Sequence, residues 1–162
     1  MNEDHPRRGG HDWFRWRREA EDEMLSTGAA VVHVPDFFGP DVHTSAVQSA
    51  LEEAASGGPV HGLGSADTPR EAAYVPDAMR VVADLAERDE AYGTDWALPG
   101  SGPLSAARLA EIASAHLGRP IKVSAAPGWM LKILALVHPT IRQIRPMIPH
   151  YVRPVRYDAS KL

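Results

Sequence analysis

Val31-Val32-His33-Val34-Pro35-Asp36-Phe37-Phe38-Gly39-Pro40 is the stretch on which the fold turns. Ala29 to Val34 is a short apolar, β-branched run ahead of a proline, the pattern of a buried strand. A proline stands at each end of the next six residues, so Pro35 to Pro40 reads as a loop. Within it Gly39 permits close backbone approach and Pro40 stiffens the turn. On the N-terminal side, Trp13 to Leu25 carries alternating charges and reads as a helix closed by Ser26-Thr27-Gly28. Residues 1–12 are polar with Gly and Pro, and are expected to form a flexible segment ahead of one domain over 13–162.

Beyond Pro40, Asp41 or Thr44 can cap a helix to about Ala55, with Val47, Ala50, Leu51 and Ala54 on its buried face. Gly57-Gly58-Pro59 ends it, Val60 to Leu63 suits a short strand, and Gly64 to Pro69 is a turn. Ala72 to Val75 reads as a strand, and Asp77 as the cap of a helix with the stripe Ala78, Val81, Val82 and Leu85. A strand comes next at Asp95 to Leu98, then a loop over Pro99 to Pro103. Ser105 caps a helix carrying Leu109, Ile112, Ala113 and His116 or Leu117, which Gly118 stops. Ile121 to Ser124 is a strand. From Pro127 a helical stretch spaces Met130, Leu134, Val137, Ile141, Ile144 and Ile148 by three or four residues, and Pro139, Pro146 and Pro149 must kink or divide it. Strands alternating with helices indicate an α/β fold.

The composition narrows the chemistry. Of 162 residues, 44% are hydrophobic and 23% charged, ordinary for a soluble globular chain. A formal charge of −4 gives no reason to expect nucleic-acid binding. The absence of cysteine excludes disulfides, thiolate catalysis and cysteine-ligated metals. Glu3, Asp4, Arg7 and Arg8 without an apolar run are not a signal peptide, and a cytoplasmic location is expected. Pro127 to Tyr157 holds Lys132, Arg142, Arg145, Arg153 and Arg156 and no acidic residue. That run is either a solvated face with acidic partners elsewhere or a surface that meets an anion.

Four pieces of the chain resemble the extended short-chain dehydrogenase/reductase superfamily, the NAD(P)-dependent epimerases and dehydratases, over roughly residues 13–162. The first is Val31 to Pro40, similar to the family's strand ending in an aromatic-Gly-Pro loop, which in such proteins passes close to the nicotinamide and the substrate. The second is Arg70-Glu71-Ala72-Ala73-Tyr74-Val75-Pro76-Asp77-Ala78, similar to an Arg-x-x-x-Tyr-Val-x-Asp segment. In nucleotide-sugar members an arginine at this place contacts substrate phosphates, a role that suits its planar fork; a surface ion pair is the alternative. The third is Trp96 to Pro99 with Leu104-Ser105 and the helix ending in Leu117-Gly118-Arg119-Pro120, which is scaffold. The fourth is Asp158-Ala159-Ser160-Lys161-Leu162, similar to the start of the family's last helix; its Ser-Lys-Leu end also matches the peroxisomal address.

The resemblance implies a partial Rossmann-type fold lacking the N-terminal dinucleotide-binding βαβ units, so that the chain reads as the C-terminal, substrate-binding half. NAD(P) is the implied cofactor, yet no Gly-x-Gly-x-x-Gly or Gly-x-x-Gly-x-x-Gly occurs here, and Gly62-Leu63-Gly64 has no long helix immediately after it. The family's Tyr-x-x-x-Lys pair is missing as well. The first tyrosine is Tyr74, the first lysine is Lys122, and the matching helix offers Trp13 and Arg17. An indole N–H donates a hydrogen bond but is no acid near neutral pH. Redox chemistry by this chain alone is not expected, and no catalytic residue is assigned.

The implied substrate-binding residues are Asp36, Phe37, Phe38, Gly39, Arg70 and Tyr74. The implied partners are a small-molecule substrate and a second copy or a nucleotide-binding half. A non-catalytic ligand-binding or interaction module, or a non-redox cyclase or isomerase, are the alternatives. His33 and Asp36 could pair as acid and base, or Asp36 could bond its own turn. His33, Asp36, His43 and His61 do not carry metal-site spacing, and no metal is expected. The stripe from Met130 to Ile148 reads as core; in the family this region lids the substrate pocket, and its basic flank leaves a membrane surface as a further contact.

Overall fold

The computed structural model describes residues 2–4 and 11–162. The expectation for residues 5–10, and those for the side chains of Trp13, Ile141 and Ile144, lie outside the described residues. In chain order the elements are α1 (Asp12–Ser26), β1 (Val31–His33), β2 (Asp36–Phe38), α2 (Ala46–Ser56), β3 (Val60–Leu63), β4 (Arg70–Tyr74) and α3 (Val75–Ala86). They continue as β5 (Asp95–Ala97), β6 (Pro103–Leu104), α4 (Ala106–Leu117), β7 (Val123–Ala126), α5 (Gly128–Val137), α6 (Pro139–Ile144) and α7 (Ile148–Tyr151). The fold is α/β with parallel strand pairs, a partial Rossmann-type architecture. No helix among the described residues is long and apolar enough to cross a membrane. The chain divides into two compact units. One comprises Met1–Pro40, Glu71–Ser101 and Arg156–Leu162, the other Asp41–Arg70 and Gly102–Val155.

In the first unit β1 runs parallel to β5, with Val31 opposite Asp95, Val32 opposite Trp96 and His33 opposite Ala97. β2 runs parallel to β4, pairing Asp36 with Ala72, Phe37 with Ala73 and Phe38 with Tyr74. The expected loop over Pro35 to Pro40 is therefore a strand at its centre. Both prolines flank the paired residues and take no ladder bond from them. Ala73, Ala78, Leu85, Ala91, Trp96 and Leu98 form the core, with Phe37, Val81 and Val82 packed against it. Helix α3 begins directly after β4, and its N-cap Tyr74 makes no side-chain cap bond. Asp77 is thus not the cap; Pro76 sits in the first turn, which starts the helix earlier. Asp77 lies in that first turn, at the positive end of the helix dipole, and pairs with Arg80.

In the second unit β3 and β7 are parallel, from Val60 opposite Val123 to Leu63 opposite Ala126. Ala50, Ala54, Val60, Leu109, Ala110 and Ile121 form its core. Buried Ser45, not Asp41 or Thr44, caps α2 by accepting from the Gln48 N–H at 3.2 Å. Ser105 caps α4 as expected, and Gly118 ends it in the left-handed region at φ 64°. Ile112 and Leu117 are exposed, however, and Ala110 is buried in their place. β7 starts at Val123, because the Ile121 N–H is already held by the Ser114 hydroxyl at 2.8 Å. Pro139 does divide the C-terminal helices. Of the single stripe drawn through these helices, Ile148 is buried but Val137 is exposed, and within α5 the buried residues are Leu131 and Ala135.

Candidate functional site: the aromatic-Gly-Pro corner

The register of β2 against β4 builds this corner. Because Phe38 lies opposite Tyr74, their rings meet with centroids 5.5 Å apart and planes tilted by 41°. Gly39 is next, at φ 128°, and a Cβ there would lie 3.0 Å from Cε2 of Tyr74. Only glycine fits the backbone and the ring together. The Asp36 carboxylate accepts from the Phe37 N–H at 3.1 Å, its neighbour on β2. Five of the six expected substrate residues, Asp36, Phe37, Phe38, Gly39 and Tyr74, thus stand on two paired strands of the first unit or directly after one of them.

Arg70 belongs to the second unit. Its Nη1 donates to the carbonyls of His150 and Arg153, and its guanidinium lies over the Tyr151 ring at 5.0 Å from the centroid. Arg70 also pairs with Val155 in a parallel bridge.

Glu71 carried no signal of its own in the sequence, yet its side chain holds two backbone segments beside β4. Its Oε2 accepts from the Gly100 N–H at 3.2 Å and from the Tyr157 N–H at 3.0 Å. Gly100 has no room for a side chain, since a Cβ would lie 2.7 Å from Cβ of Glu71 and 2.8 Å from the Ala72 carbonyl. The Pro99-Gly100 pair beside a strand was the available clue.

His33 has different partners from the one weighed. Its Nε2 lies 3.3 Å from Oδ2 of Asp95 and its Nδ1 4.0 Å from Oε1 of Glu21, while Asp36 stands on the next strand. Parallel register explains the change: Val31 faces Asp95 and His33 faces Ala97, so His33 and Asp95 lie diagonally on one face. Arg17 donates to the same Glu21 oxygen at 3.1 Å. An open groove lined by Arg17, Met24, Val31 and His33 runs beside this cluster. Among the described residues no three His, Asp or Glu converge as metal ligands.

The C-terminal motif is structural. Lys161 donates to Oγ1 of Thr94 at 2.7 Å and to the Asp95 carbonyl, and its ammonium lies 4.3 Å from the Trp96 ring centroid. The hydroxyl and the backbone N–H of Ser160 both hold the Asp158 carboxyl below its ordinary range.

The described residues do not fit a dinucleotide. A pyrophosphate needs a glycine turn ahead of a helix N-terminus, where amides and dipole are positive. Here Gly57 and Gly118 stand at the opposite, C-terminal ends of α2 and α4. The N-caps of α2, α3, α4 and α5 are Ser45, Tyr74, Ser105 and Pro127. Helix α1 contains neither tyrosine nor lysine.

No protein-family model matches the chain. No curated protein matches it in sequence either. Solved structures do resemble its fold. Pal from Bacillus thuringiensis aligns with a TM-score of 0.65 at 20% identity, over 78% of this chain and 43% of that one. The dTDP-glucose 4,6-dehydratase of Bacillus anthracis, solved with NAD, aligns at 0.61 and 14% identity, over 78% and 44%. The epimerase Mth375 of Methanothermobacter thermautotrophicus aligns at 0.56 and 18% identity, over 70% and 35%. The chain spans less than half the length of each. At these identities the likeness is one of fold.

Proposed function

We propose that this chain is the substrate-binding portion of an NAD(P)-dependent epimerase-, dehydratase- or reductase-like protein, and that it performs no redox chemistry alone. The observation that carries the reading is the register of β2 against β4, which sets the aromatic-Gly-Pro corner on Tyr74. In the resembling family that loop passes the substrate. The corner offers an aromatic wall of Phe38 and Tyr74 and a phenol, with the Tyr74 ring packed close on Gly39. Such a surface suits the apolar face of a sugar or similar small molecule while the phenol and backbone take its hydroxyls.

Arg70 is proposed separately, as the partner of an anionic group on the substrate. Its hold on the carbonyls of His150 and Arg153 ties that role to the position of the 150–153 segment. Redox chemistry is left out of the reading because α1 supplies no phenol–ammonium pair to move a proton while hydride moves. The same lack supports a ligand-binding module as the second reading.

One relative's name supplies the probe. Titration of the 15N-labelled chain with dTDP-glucose is expected to shift the amides of residues 36–39 and 74 in a saturable way, and Tyr74→Ala to abolish the response. Shifts confined to other residues, or none at millimolar sugar nucleotide, would overturn the assignment of this corner.

A further inference from the structure

Helix α5 turns an apolar face to solvent. Trp129, Ile133, Leu136 and Val137 are 65%, 55%, 64% and 76% exposed, while Leu131 and Ala135 are buried on the other side. Steps of four, three and one place the four exposed side chains on one stripe, and exposed Lys132 stands at its edge. A contiguous apolar stripe of this kind marks a surface that meets another phase or partner.

Charge selects the occupant. From Ile112 to Val155 the chain has no Asp or Glu, but it has Arg119, Lys122, Lys132, Arg142, Arg145 and Arg153. Arg142 stands at the C-terminal end of the stripe, where its guanidinium donates to the carbonyls of Ala135 and Leu136. Exposed Arg145 opens the turn after α6. A two-fold pairing with a second copy would bring this basic patch against itself with no carboxylate to neutralise it. An anionic bilayer supplies both requirements, an acyl boundary for Trp129, Ile133, Leu136 and Val137 and phosphates for the cations. With 10 residues α5 is too short to span the hydrocarbon, so it would lie in the plane of the interface.

We propose that α5 is an interfacial helix that seats the second unit on an anionic lipid surface, apolar stripe inward, with Lys132, Arg142 and Arg145 on lipid phosphates. This does not depend on the substrate reading.

Co-sedimentation of the full chain with vesicles tests it. Binding is expected to vesicles of phosphatidylcholine with phosphatidylglycerol, to weaken as salt is raised, and to be absent with phosphatidylcholine alone. Lys132→Gln is expected to weaken binding about fivefold. The pair Trp129→Ser and Val137→Ser should weaken it roughly tenfold or more. All three side chains are exposed, so circular dichroism of the variants should match the parent. The proposal is overturned if anionic vesicles fail to retain the folded chain, if neutral vesicles retain it equally, or if the substitutions leave binding unchanged. It is also overturned if the parent is a dimer that the stripe variant converts to a monomer.

Discussion

Gly39 and Glu71 are the single residues on which the corner and its support rest. At φ 128° with the Tyr74 ring 3.0 Å from any added Cβ, Gly39 tolerates no side chain without backbone strain and ring displacement. Gly39→Ala is expected to cost about 1–3 kcal/mol in urea unfolding, and to weaken the Phe38–Tyr74 contact. The Glu71 carboxylate serves two backbone donors, those of Gly100 and Tyr157. Glu71→Ala leaves both unpaired in a half-buried site, and a loss of about 2–4 kcal/mol is expected in the same measurement. A loss below about 0.5 kcal/mol would mean that water replaces the carboxylate, and that the knot is not structural.

Helix starts give the sharpest test among the elements. Ser45 is buried and holds the Gln48 N–H, whereas Asp77 is an exposed first-turn residue in a helix whose N-cap is Tyr74. Ser45→Ala should therefore cost about 1 kcal/mol and Asp77→Ala less than about 0.5 kcal/mol, read from urea midpoints. The reverse order would restore the sequence-based cap at Asp77. Element type was legible because it rests on local chemistry: Ser105 and Gly118 bound α4 as their side chains and backbone freedom require. The strand at Asp36–Phe38 was hidden because flanking prolines read as a loop, although neither occupies a paired position. The partner of His33 was hidden for another reason. Asp95 lies 62 positions away, and only the β1–β5 register brings the two to one face. The six candidate residues were named from motifs, yet what each touches depends on contacts between segments distant in sequence. The C-terminal stripe failed within α5, where the buried residues are Leu131 and Ala135, each one position on from Met130 and Leu134.

At the scale of the whole molecule, parallel pairs, capped helices and two separate cores make a partial Rossmann-type fold. Left-handed glycines close α2 and α4 and open no helix, so positive charge is not gathered where a pyrophosphate would sit. None of the N-caps of α2, α3, α4 and α5 is the glycine turn that a dinucleotide's pyrophosphate needs. Calorimetric titration of the purified chain with NADH, then NADPH, tests this most directly. Heats no larger than dilution up to millimolar coenzyme are predicted; a saturable isotherm in the micromolar range would contradict it.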